Sequence, residues 1–303
     1  MCGIVGYIGT KRVAPILLNG LKRLEYRGYD SSGIALHENG GLVIEKEVGK
    51  ISNLERSLEG KNYQSTIGIA HTRWATHGAP SKANAHPHAD QDLQISVVHN
   101  GIIENYSLLR SELTEKGHVF QSETDTETLV HLFKDFMQQG FSFFDAVRHG
   151  LARVQGAYGI VVMHCDEPEQ LIAAKHCSPL VIGHGKDEYF IASDAAPLVG
   201  YTSDVTYLED GQIALIQRSG VEIKTIDNEP VSNQMEYIGT DITSIEKSGY
   251  PHFMLKEIME QPQTMADSMR GRLLIEEGTA KLGGIQYELQ SLLNAKRVII
   301  TAC

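Results

Sequence analysis

The chain opens Met1-Cys2-Gly3-Ile4-Val5-Gly6-Tyr7-Ile8, and this run restricts the fold more than any other stretch. Ile4, Val5, Tyr7 and Ile8 read as a buried strand, and Gly3 and Gly6 permit close approach of another backbone. A terminus, usually frayed, is here predicted to enter a core. Cys2 is thereby fixed at the end of a buried strand. Removal of Met1, common before a small residue, would leave Cys2 with both a thiol and a free α-amine. An α-amine titrates near about 7.7–8.0 and a thiol near about 8.5, so base and nucleophile would sit on one residue.

The remaining composition narrows the class. A length of 303 residues suggests two domains, and 42% hydrophobic residues suffice for packed cores. The formal net charge of -11 argues against nucleic acid and anionic membrane as partners. Cysteines stand at 2, 165, 177 and 303 without a CxxC pair, which suits free thiols in a reducing compartment, the cytoplasm. The first apolar run stops at Lys11 with no basic segment before it, so neither a signal peptide nor a membrane span is expected.

Helical spacing of Val13, Ile16, Leu17, Leu21 and Leu24 predicts a helix after the first strand. The loop Glu25–Gly33 carries Tyr26, Arg27 and Tyr29. Strands are predicted at Gly33–Leu36, Leu42–Val48 and Thr66–His71, with Asn39-Gly40 as a hairpin turn. After a strand at Leu93–His99, helices follow at Asn105–Lys116, Asp125–Gln139 and Ser142–Val154. Thr124 and Glu127 have capping-box spacing, which puts Asp125 in a first helical turn. Seven strands follow between Ala157 and Thr225, with Glu209-Asp210-Gly211 as a turn. Strands, helices, then strands indicate a layered α+β domain over 2–226. Residues 227–250 read as a polar linker. A second domain over 251–303 is predicted, with helices at Phe253–Gly271 and Tyr287–Ala295 and a buried parallel strand at Val298–Ile300 that lacks a neighbour, as though the domain were cut off.

One segment is too dense in chemistry to be packing alone: His71-Thr72-Arg73-Trp74-Ala75-Thr76-His77-Gly78. A metal site drawn from His71, His77, His86, His88 and His99 lacks both a helical HxxxH and an adjacent carboxylate-and-cysteine set, and no metal is expected. The planar fork of Arg73 suits a substrate carboxylate. Asn100-Gly101 could present a side-chain amide and a backbone N–H to an oxyanion, although Asn-Gly is also the commonest tight-turn pair.

Taken together, the N-terminal run, Tyr26-Arg27-Gly28-Tyr29-Asp30-Ser31, the 71–78 segment, His99-Asn100-Gly101-Ile102-Ile103-Glu104-Asn105 and Ser122-Glu123-Thr124-Asp125-Thr126-Glu127 resemble the glutamine–fructose-6-phosphate aminotransferase (glucosamine-6-phosphate synthase) family. The resemblance implies a class II glutamine amidotransferase domain with a four-layer αββα N-terminal-nucleophile hydrolase fold, then a truncated start of an α/β sugar isomerase domain. It implies hydrolysis of L-glutamine through a Cys2 thioester, without a cofactor. Asn100 and Gly101 would form the oxyanion hole. Arg73 would grip the α-carboxylate and Asp125 the α-ammonium, while Thr76 and His77 belong to a closing loop. Trp74 and Arg27 would be gate and loop residues, Trp74 at an ammonia channel. Fructose 6-phosphate would be used only by a full-length enzyme, which could dimerise through its isomerase half. Another N-terminal-cysteine amide hydrolase, or an idle regulatory module, are the alternatives.

Overall fold

The alternation inside the first strand decides the architecture. In β1 (Gly3–Ile8) every residue is buried, so both faces must be covered. Ile4 and Ile8 pack with Val98, Val161, Leu171 and Ala214 of a second sheet. Val5 and Tyr7, pointing the other way, pack with Leu17, Leu21 and Leu54 of helices. A strand covered by a sheet on one face and helices on the other sits inside a multilayer domain.

This computed structural model describes residues 2–238, 250–269, 273–274, 278–280, 289–297 and 299. The chain divides into a unit over 1–240 and a smaller one over 241–303. In chain order the first unit continues from β1 through α1 (Val13–Leu24), β2 (Ser31–Glu38), β3 (Gly41–Val48), α2 (Ile51–Leu58), β4 (Ile67–Arg73), β5 (His88–Ala89), β6 (Ile95–Ile103) and α3 (Tyr106–Glu115). It then runs through α4 (Thr126–Gln138), α5 (Phe143–Leu151), β7 (Gly156–His164), β8 (Gln170–His176), β9 (Val181–His184), β10 (Tyr189–Ala192), β11 (Asp204–Tyr207), β12 (Gln212–Gln217), β13 (Gly220–Thr225) and β14 (Glu236–Tyr237).

Two antiparallel sheets result, ordered β14-β11-β9-β10-β1-β4-β2-β3 and β13-β12-β8-β7-β6-β5. Their facing sides form one apolar core. Helices α1 and α2 cover the first sheet, and Leu129, Phe133, Phe143 and Val147 of α4 and α5 cover the second. The order helix, sheet, sheet, helix is that of the N-terminal-nucleophile hydrolases. At Asn39-Gly40 both residues have positive φ, 52° and 82°, the requirement of a tight turn matched to strand twist.

Four features depart from, or add to, the sequence reading. Helix α2 was not anticipated: Ile51, Leu54 and Leu58 have the spacing, but over eight residues only. The Glu209-Asp210-Gly211 turn is not a hairpin, since it carries the chain from β11 in one sheet to β12 in the other. Asn100-Gly101 is no turn either, because both lie within β6. Residues 227–238 run along the first unit: Thr225 N–H donates to Glu229 O, and β14 pairs with Asp204 and Val205.

In the second unit, α6 (Phe253–Met269), β15 (Leu273–Leu274) paired to β16 (Thr279–Ala280), and α7 (Leu289–Leu293) are described. Of the strand expected at 298–300, Val298 and Ile300 lie outside the described residues.

Candidate active site

Because β1 pairs with β4 in the register Gly3↔Thr72, Cys2 is brought to the point where β4 ends and Trp74 begins. Trp74 N–H donates to the Cys2 sulfur at 3.3 Å, and the thiol lies 3.7 Å from Trp74 O. The strand end is anchored from 189 residues away: Ile4 N–H donates to Ser193 Oγ at 3.0 Å, and Ser193 N–H returns to Ile4 O at 3.2 Å. Burial pushes the Cys2 thiol above its ordinary value, while the Trp74 N–H and the Arg73 guanidinium pull it back. A thiol in that setting is held protonated near neutral pH and needs a base beside it.

Asn100 reaches the same point from the second sheet. Its Nδ2 donates to Cys2 O at 3.4 Å, and its Oδ1 lies 2.9 Å from His71 Nε2. Gly101, next along β6, has φ of 132°, and a Cβ there would lie 2.0 Å from Ala157 O. Only glycine fits that position.

The Arg73 side chain is buried, 3% exposed. Its Nη2 donates to His77 O, and to Gly78 O at 3.1 Å, so it holds the loop that follows it. Its buried Nη1 has no hydrogen-bond partner among the described residues. A buried guanidinium nitrogen without an acceptor is unfavourable on its own and suits an anionic ligand. His77 packs edge-on to Tyr106 at 5.3 Å, and Thr76 is exposed on the loop.

Asp125 occupies the N-cap position of α4 rather than its first turn, and its carboxylate makes no cap bond. Instead its Oδ2 accepts Ile103 N–H at 2.8 Å, which ties α4 to the strand carrying Asn100. The capping box is one-sided. Glu127 N–H reaches Thr124 Oγ1 at 3.4 Å, but the Glu127 carboxylate accepts from Gln121 N–H and from Ser122.

Arg27 pairs with Asp194 at 3.6 Å, one residue from the Ser193 anchor. Its neighbour Gly28 lies under Trp74, whose Cζ3 would be 3.2 Å from a Cβ at that position. Two residues that sequence reasoning gave no role complete the constellation. Asp30 takes Ala75 N–H on its carboxylate, and its own N–H donates to Arg73 O at 2.7 Å, so it fixes the bend that aims Trp74 N–H at Cys2. His71 contacts Asn100. Both stood inside recognised segments, yet only the fold discloses what they touch.

Behind Asn100 lies a buried stack of histidines. His71 and His86 rings stack at 4.3 Å, and His86 meets His88 edge-on at 4.6 Å. Burial holds His71 down to about 3 and keeps His86, His88 and His99 below the usual imidazole range.

A family model described as a glutamine amidotransferase domain matches residues 71–200. Over 100% of its length the chain is 51% identical to a glutamine–fructose-6-phosphate aminotransferase (isomerizing) of Chlorobaculum tepidum and 50% identical to that of Bacteroides thetaiotaomicron. The chain carries the glutamine amidotransferase domain of this family. It spans about half the length of these curated relatives, 50% of each.

Among solved structures, the domain is similar to glutamine phosphoribosylpyrophosphate amidotransferase of B. subtilis, at 28% identity and a TM-score of 0.65 over 74% of this chain and 49% of that one. A glutamine aminotransferase class-II domain protein of Silicibacter pomeroyi, 14% identical with a TM-score of 0.51, covers 74% of this chain and 99% of its own, and shares the fold. Among the described residues no helix is long and apolar enough to cross a membrane.

Proposed function

We propose that the chain hydrolyses L-glutamine to glutamate and ammonia, with Cys2 as nucleophile. One observation carries the reading: the Cys2 thiol, the Asn100 amide and the buried Arg73 guanidinium converge from two sheets on the end of β1. Met1 lies outside the described residues; its removal is part of the proposal, because it frees the Cys2 α-amine. The amine takes the thiol proton as sulfur attacks the side-chain carboxamide carbon. The carbonyl oxygen becomes an oxyanion facing Asn100 Nδ2 and Gly101 N–H. Collapse breaks the C–N bond, the proton passes to the departing ammonia, and a γ-glutamyl thioester remains. Water, deprotonated by the same amine, then releases glutamate.

A free amino acid presents one carboxylate and one ammonium. Arg73 takes the first and Asp125 the second, which disfavours acylase substrates that lack the ammonium. Thr76 and His77 close over the substrate on the loop that Arg73 holds, and Trp74 and Arg27 gate the exit of ammonia. Transfer of that ammonia to fructose 6-phosphate, as the relatives' names describe, is proposed for a longer polypeptide in which residues 251–303 begin a sugar isomerase domain and subunits pair through that half. The free thiols Cys2, Cys165 and Cys177 suit a cytoplasmic setting.

The test is Cys2→Ala together with the intact mass of the wild-type chain. Wild-type protein lacking Met1 should release glutamate and ammonia in equal amounts and the variant neither, a loss of several orders of magnitude. Unimpaired hydrolysis by the variant, or by protein that retains Met1, would overturn the assignment.

A further inference from the structure

Asn100 can serve an oxyanion only when its amide nitrogen, not its oxygen, faces Cys2. The two ends of an amide are nearly isosteric, so a neighbour must choose between them. His71 Nε2 lies 3.0 Å from His99 O and 2.9 Å from the oxygen of Asn100. A backbone carbonyl only accepts, so His71 Nε2 carries a hydrogen. The Asn100 atom beside that hydrogen must then be its acceptor end, which turns Nδ2 toward Cys2.

The rest of the stack fixes the His71 ring in that form. His99 Nε2 donates to Ala157 O at 3.3 Å, so its Nδ1 accepts the Thr126 hydroxyl hydrogen at 2.8 Å. Thr126 has no second hydrogen and therefore accepts from His86 Nε2 at 2.9 Å. Nδ1 of His86 and of His71 are then bare, and both are buried with no hydrogen-bond partner. A proton on either would be a buried donor without an acceptor, at a cost of about 1–3 kcal/mol or more. One protonation pattern satisfies every contact, and it directs the Asn100 amide.

We propose that His71 is a positioning residue for the reaction, holding the Asn100 Nδ2–H toward the oxygen of an amide under attack by Cys2. The inference rests on reading Cys2 as the nucleophile. It requires a donor at the place of Nε2, not an imidazole as such, and predicts that catalysis depends on that donor while substrate binding does not.

The test compares the full chain with its His71→Leu, His71→Asn and His71→Gln variants. A glutamine side chain can put its amide nitrogen where Nε2 lies, whereas asparagine reaches only to the place of Nδ1. Three measurements separate the roles: steady-state hydrolysis of glutamine, inhibition by the γ-aldehyde analogue of glutamine, and the rate of Cys2 alkylation by iodoacetamide. The aldehyde adds the Cys2 sulfur across its carbonyl and places negative charge on oxygen. In alkylation, sulfur displaces iodide and no oxyanion forms.

In the leucine and asparagine variants kcat should fall about 10²–10³-fold, the loss typical of one oxyanion donor, with KM changed less than about threefold. Aldehyde inhibition should weaken in parallel and alkylation should hold within about twofold. His71→Gln should recover at least about tenfold of the lost kcat. Unchanged kcat in both the leucine and asparagine variants, equal loss in all three folded variants, or lost kcat with undiminished aldehyde inhibition would overturn the role of His71. If leucine prevents folding, the asparagine–glutamine comparison decides. A wild-type chain that is alkylated at Cys2 yet inert to glutamine would overturn the underlying reading of the site instead.

Discussion

Lowering the pH from 7.5 to 5.5 should weaken the fold before its carboxylates titrate. His71, His86, His88 and His99 are 0%, 5%, 3% and 3% exposed, and burial holds each below its ordinary value, His71 at about 3. The charges of Arg73 and Lys46 add to the effect, whereas Asp125 beside His99 and Glu127 beside His88 oppose it without reversing it. In the unfolded chain each imidazole takes up a proton near about 6.5, and in the folded chain each does so only at lower pH, His71 near about 3. The unfolded state therefore binds more protons below that point. Stability from these groups is complete above about pH 6.5 and is lost as the pH falls toward their folded values.

For one such histidine the step from 7.5 to 5.5 removes about 1.4 kcal/mol, and for four about 5–6 kcal/mol as an upper bound. A domain is stable by only about 5–15 kcal/mol, so the effect should be large. Urea unfolding at fixed ionic strength should show a midpoint that drops steadily across this window with little change in m. A midpoint flat between pH 7.5 and 5.5 would refute the reasoning. So would a His86→Phe variant that folds and keeps the full pH slope.

Three further outcomes follow from single contacts. Gly101→Ala should lower stability by at least about 2 kcal/mol, read as a drop in Tm, because its Cβ would meet Ala157 O at 2.0 Å where φ is 132°. Lys134→Met should cost about 3–5 kcal/mol in urea titrations, since it leaves the buried Asp90 carboxylate, 2.6 Å from the ammonium, without its cation. The wild-type Lys134 and two backbone N–H groups hold Asp90 below the usual carboxylate range against the burial that would raise it, so that loss should shrink in acid as Asp90 is protonated. Arg73→Lys should raise the KM for glutamine and lower kcat/KM by about tenfold or more, because an ammonium keeps the charge but not the fork. A KM unchanged in that variant would remove Arg73 from substrate binding.

The sequence by itself determined what depends on near neighbours. The apolar run after Cys2 made β1, the spacing of Val13, Ile16, Leu17 and Leu21 made α1, and Asn39-Gly40 made a hairpin whose positive φ values few other pairs tolerate. The segments that furnish Cys2, Arg73, Asn100 and Asp125 were likewise visible as unusual clusters.

Tertiary structure decided which of these residues meet and what their polar atoms do. Whether Asn100-Gly101 would be a turn or part of a strand depended on β7, whose residues pair with both across the second sheet. Whether Glu127 would close a capping box or grip Ser122 depended on the path of the preceding loop. Ser193, the anchor of Ile4, carries no local mark, because a lone serine after a strand is common and its partner is 189 residues away. Periodicity records which face of an element is apolar, and that is a local property. The direction of a hydrogen bond, the tautomer of a buried histidine and the end of an amide that faces a thiol are set by atoms brought together from separate strands. Those are fixed only once the two sheets are stacked.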